Sequence, residues 1–242
     1  MANLVVEIGN TALKAALAEG PTLGKTFRYQ GEKRLEYIAD LVAREKPEVL
    51  TVASAAPVTP AEEAQLRACC RRLILLDAAH TALQEEKGLP AYLSCDRAAS
   101  LLAARHLFRG KSCTVVDFGT TLTVDFLSAE GEYLGGNISP GCRTRFKALN
   151  RYSRTLPLVD TPEETGPVGL SLRSSIEAGV ISGIMFEITG YVGLHPENCV
   201  VFTGGDAIYF VKRMKNSIFV VCNLVLMGLA LMTDAYAEST LQ

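Results

Sequence analysis

Two short polar turns hold the residues best suited to chemistry. Glu7-Ile8-Gly9-Asn10-Thr11 and Asp117-Phe118-Gly119-Thr120-Thr121 share one plan: an acidic residue, an apolar one, glycine, then hydroxyl- or amide-bearing side chains. Each closes an apolar run, NLVVEI at 3–8 and CTVVDF at 113–118. Glycine lets a backbone approach a bulky anion because it lacks a Cβ. Successive N–H groups in such a turn, with hydroxyls beside them, offer donors to phosphate oxygens. A carboxylate at the strand end can hold Mg²⁺ or another cation between phosphates. Lys14, just past the first turn, supplies a point charge. One such turn alone reads most simply as an ordinary hairpin bend. Two with the acid in the same relative place favour a two-sided grip on a phosphate chain.

Further candidates are weaker singly. Thr203-Gly204-Gly205 reads either as a plain turn or as a floor for an adenosine moiety. Gly135-Gly136-Asn137-Ile138-Ser139-Pro140-Gly141 divides evenly between a turn and a site. Asp96-Arg97 at a helix start suits a surface ion pair with an N-cap. Its functional reading has Asp96 orient or deprotonate an attacking hydroxyl while Arg97 holds a carboxylate on the acceptor. His80, His106 and His195 lie in unrelated contexts and form neither a catalytic triad nor a metal site.

Apolar periodicity and turn residues place these groups on strands and helices. The strand at 3–8 runs through its turn into a second apolar stretch, Leu13 to Leu17. Leu35, Ile38, Leu41 and Val42 recur at helical spacing, and Pro47 closes that helix. Val49 to Ala53 is a strand, Pro60 opens a helix with acids in its first turn, and Leu73 to Leu76 is another strand. Asp96 to Phe108 is helical. The strand-turn-strand plan then recurs at 113–127, followed by helices near Pro140 to Asn150 and Ser171 to Val192. A strand at Cys199 to Phe202 comes next. Residues 153–169, with Pro157, Pro162, Gly166 and Pro167, form a long loop suited to a mobile or interface segment. The recurrence predicts two α/β halves on one plan, 1–110 and 111–242, with a cleft between them.

The chain has 242 residues, 48% hydrophobic and 21% charged, with a net charge of −2. That is enough to bury a sizeable core, and without a basic stripe it excludes nucleic acid as the expected partner. Seven cysteines without repeating spacing suggest buried free thiols in a reducing compartment, not a disulfide framework or zinc site. No signal peptide is apparent, and Ile218 to Met232, though apolar, falls short of the ~20 residues that span a bilayer. It reads as a buried strand-to-helix element. A small-molecule partner in the cytoplasm, and no membrane role, is the expectation.

With these residues assembled, the sequence resembles the type III pantothenate kinases of the acetate and sugar kinase/heat-shock protein/actin superfamily. EIGNTALK at 7–14 is similar to that family's DxGNTxxK, and Pro90 with Asp96-Arg97 to its PxxxGxDR. VVDFGTTLTVD at 115–125 resembles VDxGTAxTxD, and GGNISPG at 135–141 resembles GGxIxPG. VFTGG at 201–205 and NLVLMGL at 223–229 resemble the TGG and DLVLxGL elements. Each is a weak signal alone; in this order along nearly the whole chain they are strong.

The resemblance implies two related ribonuclease H-like, actin-like ATPase halves and ATP-dependent phosphorylation of pantothenate, the first step of coenzyme A biosynthesis. It implies ATP contacts along Glu7, Ile8, Gly9, Asn10, Thr11, Ala12, Leu13 and Lys14, and at Thr120, Thr121, Gly204 and Gly205. Ser94, Cys95, Asp96, Arg97 and Leu172 fall at pantothenate-contacting positions, with Asp96 the proton acceptor. Asp117 would hold a monovalent cation (K⁺ or NH₄⁺), Glu7 would serve Mg²⁺, and the protein would be a homodimer. The chain departs from the family where Glu7 replaces Asp, Ser94 replaces the glycine of GxDR, and Gly169-Leu170-Ser171-Leu172 replaces GxNT. Those departures leave two alternatives: a nucleotide-binding regulatory homologue with weak or no kinase activity, or a kinase for another small hydroxy acid.

Overall fold

The apolar run at the start of the chain becomes β1 (Asn3–Ile8), in a computed structural model that describes residues 2–239. β1 pairs antiparallel with β2 (Leu13–Glu19), which pairs antiparallel with β3 (Thr22–Tyr29). β4 (Leu50–Ser54) and β5 (Leu73–Leu76) join in parallel, giving a five-stranded sheet in the order β3-β2-β1-β4-β5. α1 (Arg34–Glu45) and α2 (Pro60–Cys69) make the crossovers. α1 buries Ile38, Leu41 and Val42 and ends on Lys46 in the left-handed conformation, one residue before Pro47. α2 starts in a capping box, Thr59 bonding Glu62 N–H while the Glu62 side chain returns to Thr59 N–H. α3 (Ala82–Glu86) and α4 (Cys95–Leu107) follow.

The second sheet repeats the plan. β6 (Cys113–Phe118), β7 (Thr121–Leu127) and β8 (Tyr133–Pro140) form the antiparallel meander, then β9 (Cys199–Gly204) and β10 (Ile218–Val220) join in parallel, in the order β10-β9-β6-β7-β8. α5 (Cys142–Tyr152), α6 (Leu172–Leu194), α7 (Ala207–Val211) and the final α8 (Leu224–Ser239) complete the chain. Each sheet has its own core, one around Leu4, Val6, Leu13, Ile38, Leu50 and Leu66, the other around Val116, Phe118, Phe146, Ile184, Phe202 and Phe210.

Among the described residues, those up to Leu107 and those from Asn223 onward form one unit, and Phe108–Cys222 the other. The expected assignment of 223–239 to the second half is therefore corrected, and 240–242 lie outside the described residues. α8 buries Leu224, Val225, Leu226, Leu229 and Met232, and buried Thr233 hydrogen-bonds Thr51 of β4 at 2.6 Å. The helix belongs to the first sheet's unit because its apolar surface is spent there.

α4 and α8 cross at Gly228, where a Cβ would lie 1.8 Å from Ala99 O and 2.7 Å from its Cα. Backbone stands against backbone, so the clash cannot be relieved by a rotamer. Gly228→Ala should cost about 3 kcal/mol as overpacking, lowering Tm by roughly 6–12 °C for a chain of this size. An unchanged thermal melt would refute the crossing.

Two other readings change. The glycine-rich stretch at 135–141 is mostly strand β8, not a turn. Of the seven thiols, Cys95, Cys113 and Cys142 are buried, whereas Cys69, Cys70 and Cys199 are partly exposed and Cys222 is exposed. Residues 153–169 form an irregular loop as expected, with Val159 buried, Leu156 O bonded by Asn150 and Thr161 near Cys142 at 3.6 Å. Among the described residues no helix is long and apolar enough to cross a membrane.

Candidate active site

In open α/β sheets, ligands favour the carboxyl ends of the parallel strands, and in the first unit the candidate residues gather there. Glu7, near the end of β1, is the register partner of Lys14 on β2, and their side chains form an ion pair at 3.3 Å. Burial pushes the Glu7 carboxyl above its usual range; Lys14 opposes that, and the charge of Asp96 adds to it. The turn between the strands closes with Gly9 N–H donating to Ala12 O at 3.1 Å and leaves Asn10 and Thr11 exposed. Ile8 O accepts from Ala55 N–H at 3.1 Å, joining the end of β4 to the same edge.

α4 begins at this edge. The Cys95 thiol donates to Ser54 O at 3.4 Å, and Asp96 Oδ1 accepts from Arg97 N–H at 2.9 Å. Glu7, Lys14 and Asp96 therefore belong to one local group, with Ser94 exposed and Arg97 buried at the start of the same helix. Leu13 and Cys95 are buried; any ligand they touch would meet their backbone. Burial pushes the Cys95 thiol up to about 12, so it stays protonated and unreactive.

In the second unit three loops meet. Asp117 and Phe118 on β6 pair with Thr203 and Gly204 on β9. Gly204 has φ +90°, and a Cβ there would fall 2.3 Å from Asp117 Oδ1 and 2.6 Å from Phe118 N and O. Only glycine can sit there. Thr120 O accepts from Gly141 N–H at 3.0 Å and from Thr144 Oγ1 at 2.6 Å, so the start of α5 braces the second turn. Asp117, Thr120, Gly204 and Gly205 are thus brought together, with Thr120, Thr121 and Gly205 exposed.

Leu172 is placed differently. It opens α6, is 57% exposed, and lines an apolar groove of about 800 Å³ with Arg145, Leu149, Tyr152, Leu156 and Ile176.

The carboxylates suit hard cations, which take oxygen ligands. Among the described residues no group of three or more His, Cys, Asp or Glu could hold a metal by itself. A hard cation held at one of these carboxylates would draw its other ligands from a bound phosphate and from water.

Sequence reading missed the braces. Arg34, at the start of α1, donates from its guanidinium to Gly9 O at 2.9 Å and Asn10 O at 3.2 Å. Thr144 and Gly141 do the same work for the second turn. No local pattern marks a residue that acts on a turn 24 or 25 positions away.

Comparison with known proteins identifies the family and the fold. The family described as Type III pantothenate kinase matches residues 3–194. A type III pantothenate kinase from Phocaeicola vulgatus is 37% identical over 234 residues, covering 94% of this chain and 96% of that one. One from Cytophaga hutchinsonii is 34% identical, covering 94% and 96%. Among solved structures, the activator of the 2-hydroxyisocaproyl-CoA dehydratase from Clostridium difficile, with bound ADPNP, superposes with TM-score 0.62 at 14% identity, covering 100% of this chain and 97% of that one. Apo pSK41 ParM superposes with TM-score 0.54 at 12% identity, covering 100% and 99%. At such identities the likeness is one of fold, the actin-like ATPase fold. By family match and by full-length relatives, this chain belongs to the type III pantothenate kinases.

Proposed function

We propose that the protein transfers the γ-phosphoryl group of ATP to the primary hydroxyl of pantothenate, giving 4'-phosphopantothenate and ADP in the first step of coenzyme A biosynthesis. The observation that carries this reading is the pair of braced turns, Gly9–Ala12 beside Glu7, Lys14 and Asp96, and Gly119–Thr121 beside Asp117 and Gly204-Gly205. Phosphoryl transfer asks the protein mainly for positioning and charge stabilisation, and donor-rich turns with a lysine provide both.

In this reading Asp96 holds the hydroxyl in line and accepts its proton as the new O–P bond forms and the β–γ bridging bond breaks. Arg97 takes the acceptor's carboxylate. Lys14 and the turn N–H groups stabilise the charge on the transferring group. Mg²⁺ bound with ATP, with Glu7 serving it, would neutralise phosphate charge, and K⁺ or NH₄⁺ would lie at Asp117. The turn held by Arg34 should loosen in Arg34→Ala: KM for ATP is expected to rise about tenfold, the loss of one or two charge-assisted bonds, with kcat changed less. Steady-state kinetics at varied ATP checks this; an unchanged KM would remove Arg34 from the site.

The protein would work in the cytoplasm as a homodimer. Supporting the dimer, the surface near the α5–α6 groove exposes Tyr152 at 83%, Leu170 at 96% and Leu172 at 57%, apolar side chains that a second subunit would cover.

Glu7 in place of Asp and Leu172 in place of Thr favour a second reading, a nucleotide-binding regulatory protein with little turnover. One extra methylene displaces a carboxylate by about 1.5 Å, and ~1 Å of misplacement can cost ~100-fold. An acceptor screen at fixed ATP, repeated on Glu7→Asp and Leu172→Thr, separates the readings. Turnover of pantothenate by the natural chain supports the kinase; turnover appearing only in the restored variants supports the regulator; preference for another hydroxy acid changes the substrate.

A further inference from the structure

The connection from β9 to α7 carries a carboxylate that the protein itself leaves unused. Asp206 follows Gly204-Gly205 directly and occupies the N-cap position of α7, yet its side chain makes no capping hydrogen bond. An aspartate in that position ordinarily accepts from a backbone N–H of the first turn. Its own N–H donates to Phe118 O at 3.3 Å, which fixes the residue against the second turn. Among the described residues no hydrogen bond reaches the carboxylate oxygens. The group is also partly buried, and burial raises its carboxyl above the usual range, opposed by the charge of Arg143 in the first turn of α5.

A half-buried acid without donors costs stability, and a ligand that brings donors removes that cost. The charge restricts what the ligand can present. A phosphate oxygen would be repelled, whereas a hydroxyl pair would be accepted by the two carboxylate oxygens. A vicinal diol is what a ribose offers, and a carboxylate is the group that reads it in other nucleotide-binding α/β folds. The neighbours fit: the glycine pair precedes Asp206, and the Gly119-Thr120 turn lies against the same loop through Phe118.

We propose that Asp206 reads the ribose of the bound nucleotide, accepting hydrogen bonds from its 2'- and 3'-hydroxyls and setting the preference for ribo- over deoxyribonucleotides. This rests on reading the second-unit loops as the nucleotide floor, and it deepens that reading by naming the sugar-recognising residue.

The test is calorimetric binding of ATP, 2'-deoxyATP and 3'-deoxyATP, each with Mg²⁺, to the full chain and to its Asp206→Asn and Asp206→Ala variants. The natural chain should bind ATP about tenfold more tightly than either deoxy form. In Asp206→Ala the three affinities should converge to within about twofold, through loss of ATP affinity, while the deoxy forms bind as before. Asp206→Asn keeps the shape should alanine disturb the loop, and its ATP preference should fall as well. Equal affinity of the natural chain for ATP and both deoxy forms, or an undiminished preference in the variants, overturns the assignment. Turnover distinguishes this from failure of the wider reading. A chain that phosphorylates pantothenate equally well from ATP and from the deoxy forms is a kinase in which Asp206 does not read ribose, whereas one that binds none of the nucleotides contradicts both.

Discussion

Asp96→Asn is expected to lower kcat by about 10²–10⁴-fold, the range over which positioned acid–base groups act, while ATP affinity changes less than about threefold. On the proposed mechanism the substitution removes the proton acceptor and little else. Asparagine keeps an oxygen to accept the Arg97 N–H bond, 2.9 Å in the natural chain, so the first turn of α4 should survive and Tm should stay within ~2 °C. Asp96 contributes to the raised carboxyl of Glu7; without its charge Glu7 moves down toward its ordinary range, which favours ionisation and does not weaken a cation held there. Single-turnover kinetics beside nucleotide titration separates chemistry from binding. A variant that loses ATP binding together with kcat would show Asp96 to be a structural support of the nucleotide site.

Gly204→Ala should have the largest effect on nucleotide binding. Its φ of +90° is disfavoured for any L residue, and the added Cβ would meet Asp117 Oδ1 at 2.3 Å and Phe118 N and O at 2.6 Å. The aspartate side chain can swing away; the Phe118 backbone, hydrogen-bonded in the sheet, cannot. β9 must then pull away from β6 at the rung that sets Asp117 beside Thr203. Strain and overpacking together come to about 4 kcal/mol, a fall in Tm of roughly 8–16 °C, and ATP affinity should drop about 100-fold or more. Gly205→Ala is the control. The nearest atom to a Cβ there is Phe118 O at 4.0 Å, so it should fold normally. If Gly204→Ala bound ATP as the natural chain does, the β9 loop would not be part of the nucleotide site.

Much of this was legible in the sequence because turn chemistry is local. The paired acid-Gly-hydroxyl turns stand out as residue types, and the apolar runs before them can only be buried strands. What escaped was what depends on distant partners. β3 and β8 are sheet-edge strands with largely exposed side chains, so neither shows the apolar signal of a core strand, and the glycines of β8 imitate a turn. α8 announces itself as a buried helix, but nothing in an evenly apolar stretch says which sheet it covers; Thr51–Thr233 and Gly228–Ala99 decide that, and both are long-range contacts. Asp206 was unremarkable for the same reason. An aspartate at a helix start reads as a cap until the structure shows the cap bond missing.

Whether this chain moves phosphate from ATP to pantothenate is decided by incubating the purified protein with ATP, Mg²⁺, potassium and pantothenate and measuring both products by mass spectrometry. 4'-Phosphopantothenate should form in equal amount to ADP, and Asp96→Asn should form both about 10²–10⁴-fold more slowly. ADP released without phosphopantothenate, or no turnover of pantothenate at all, would rule out the kinase.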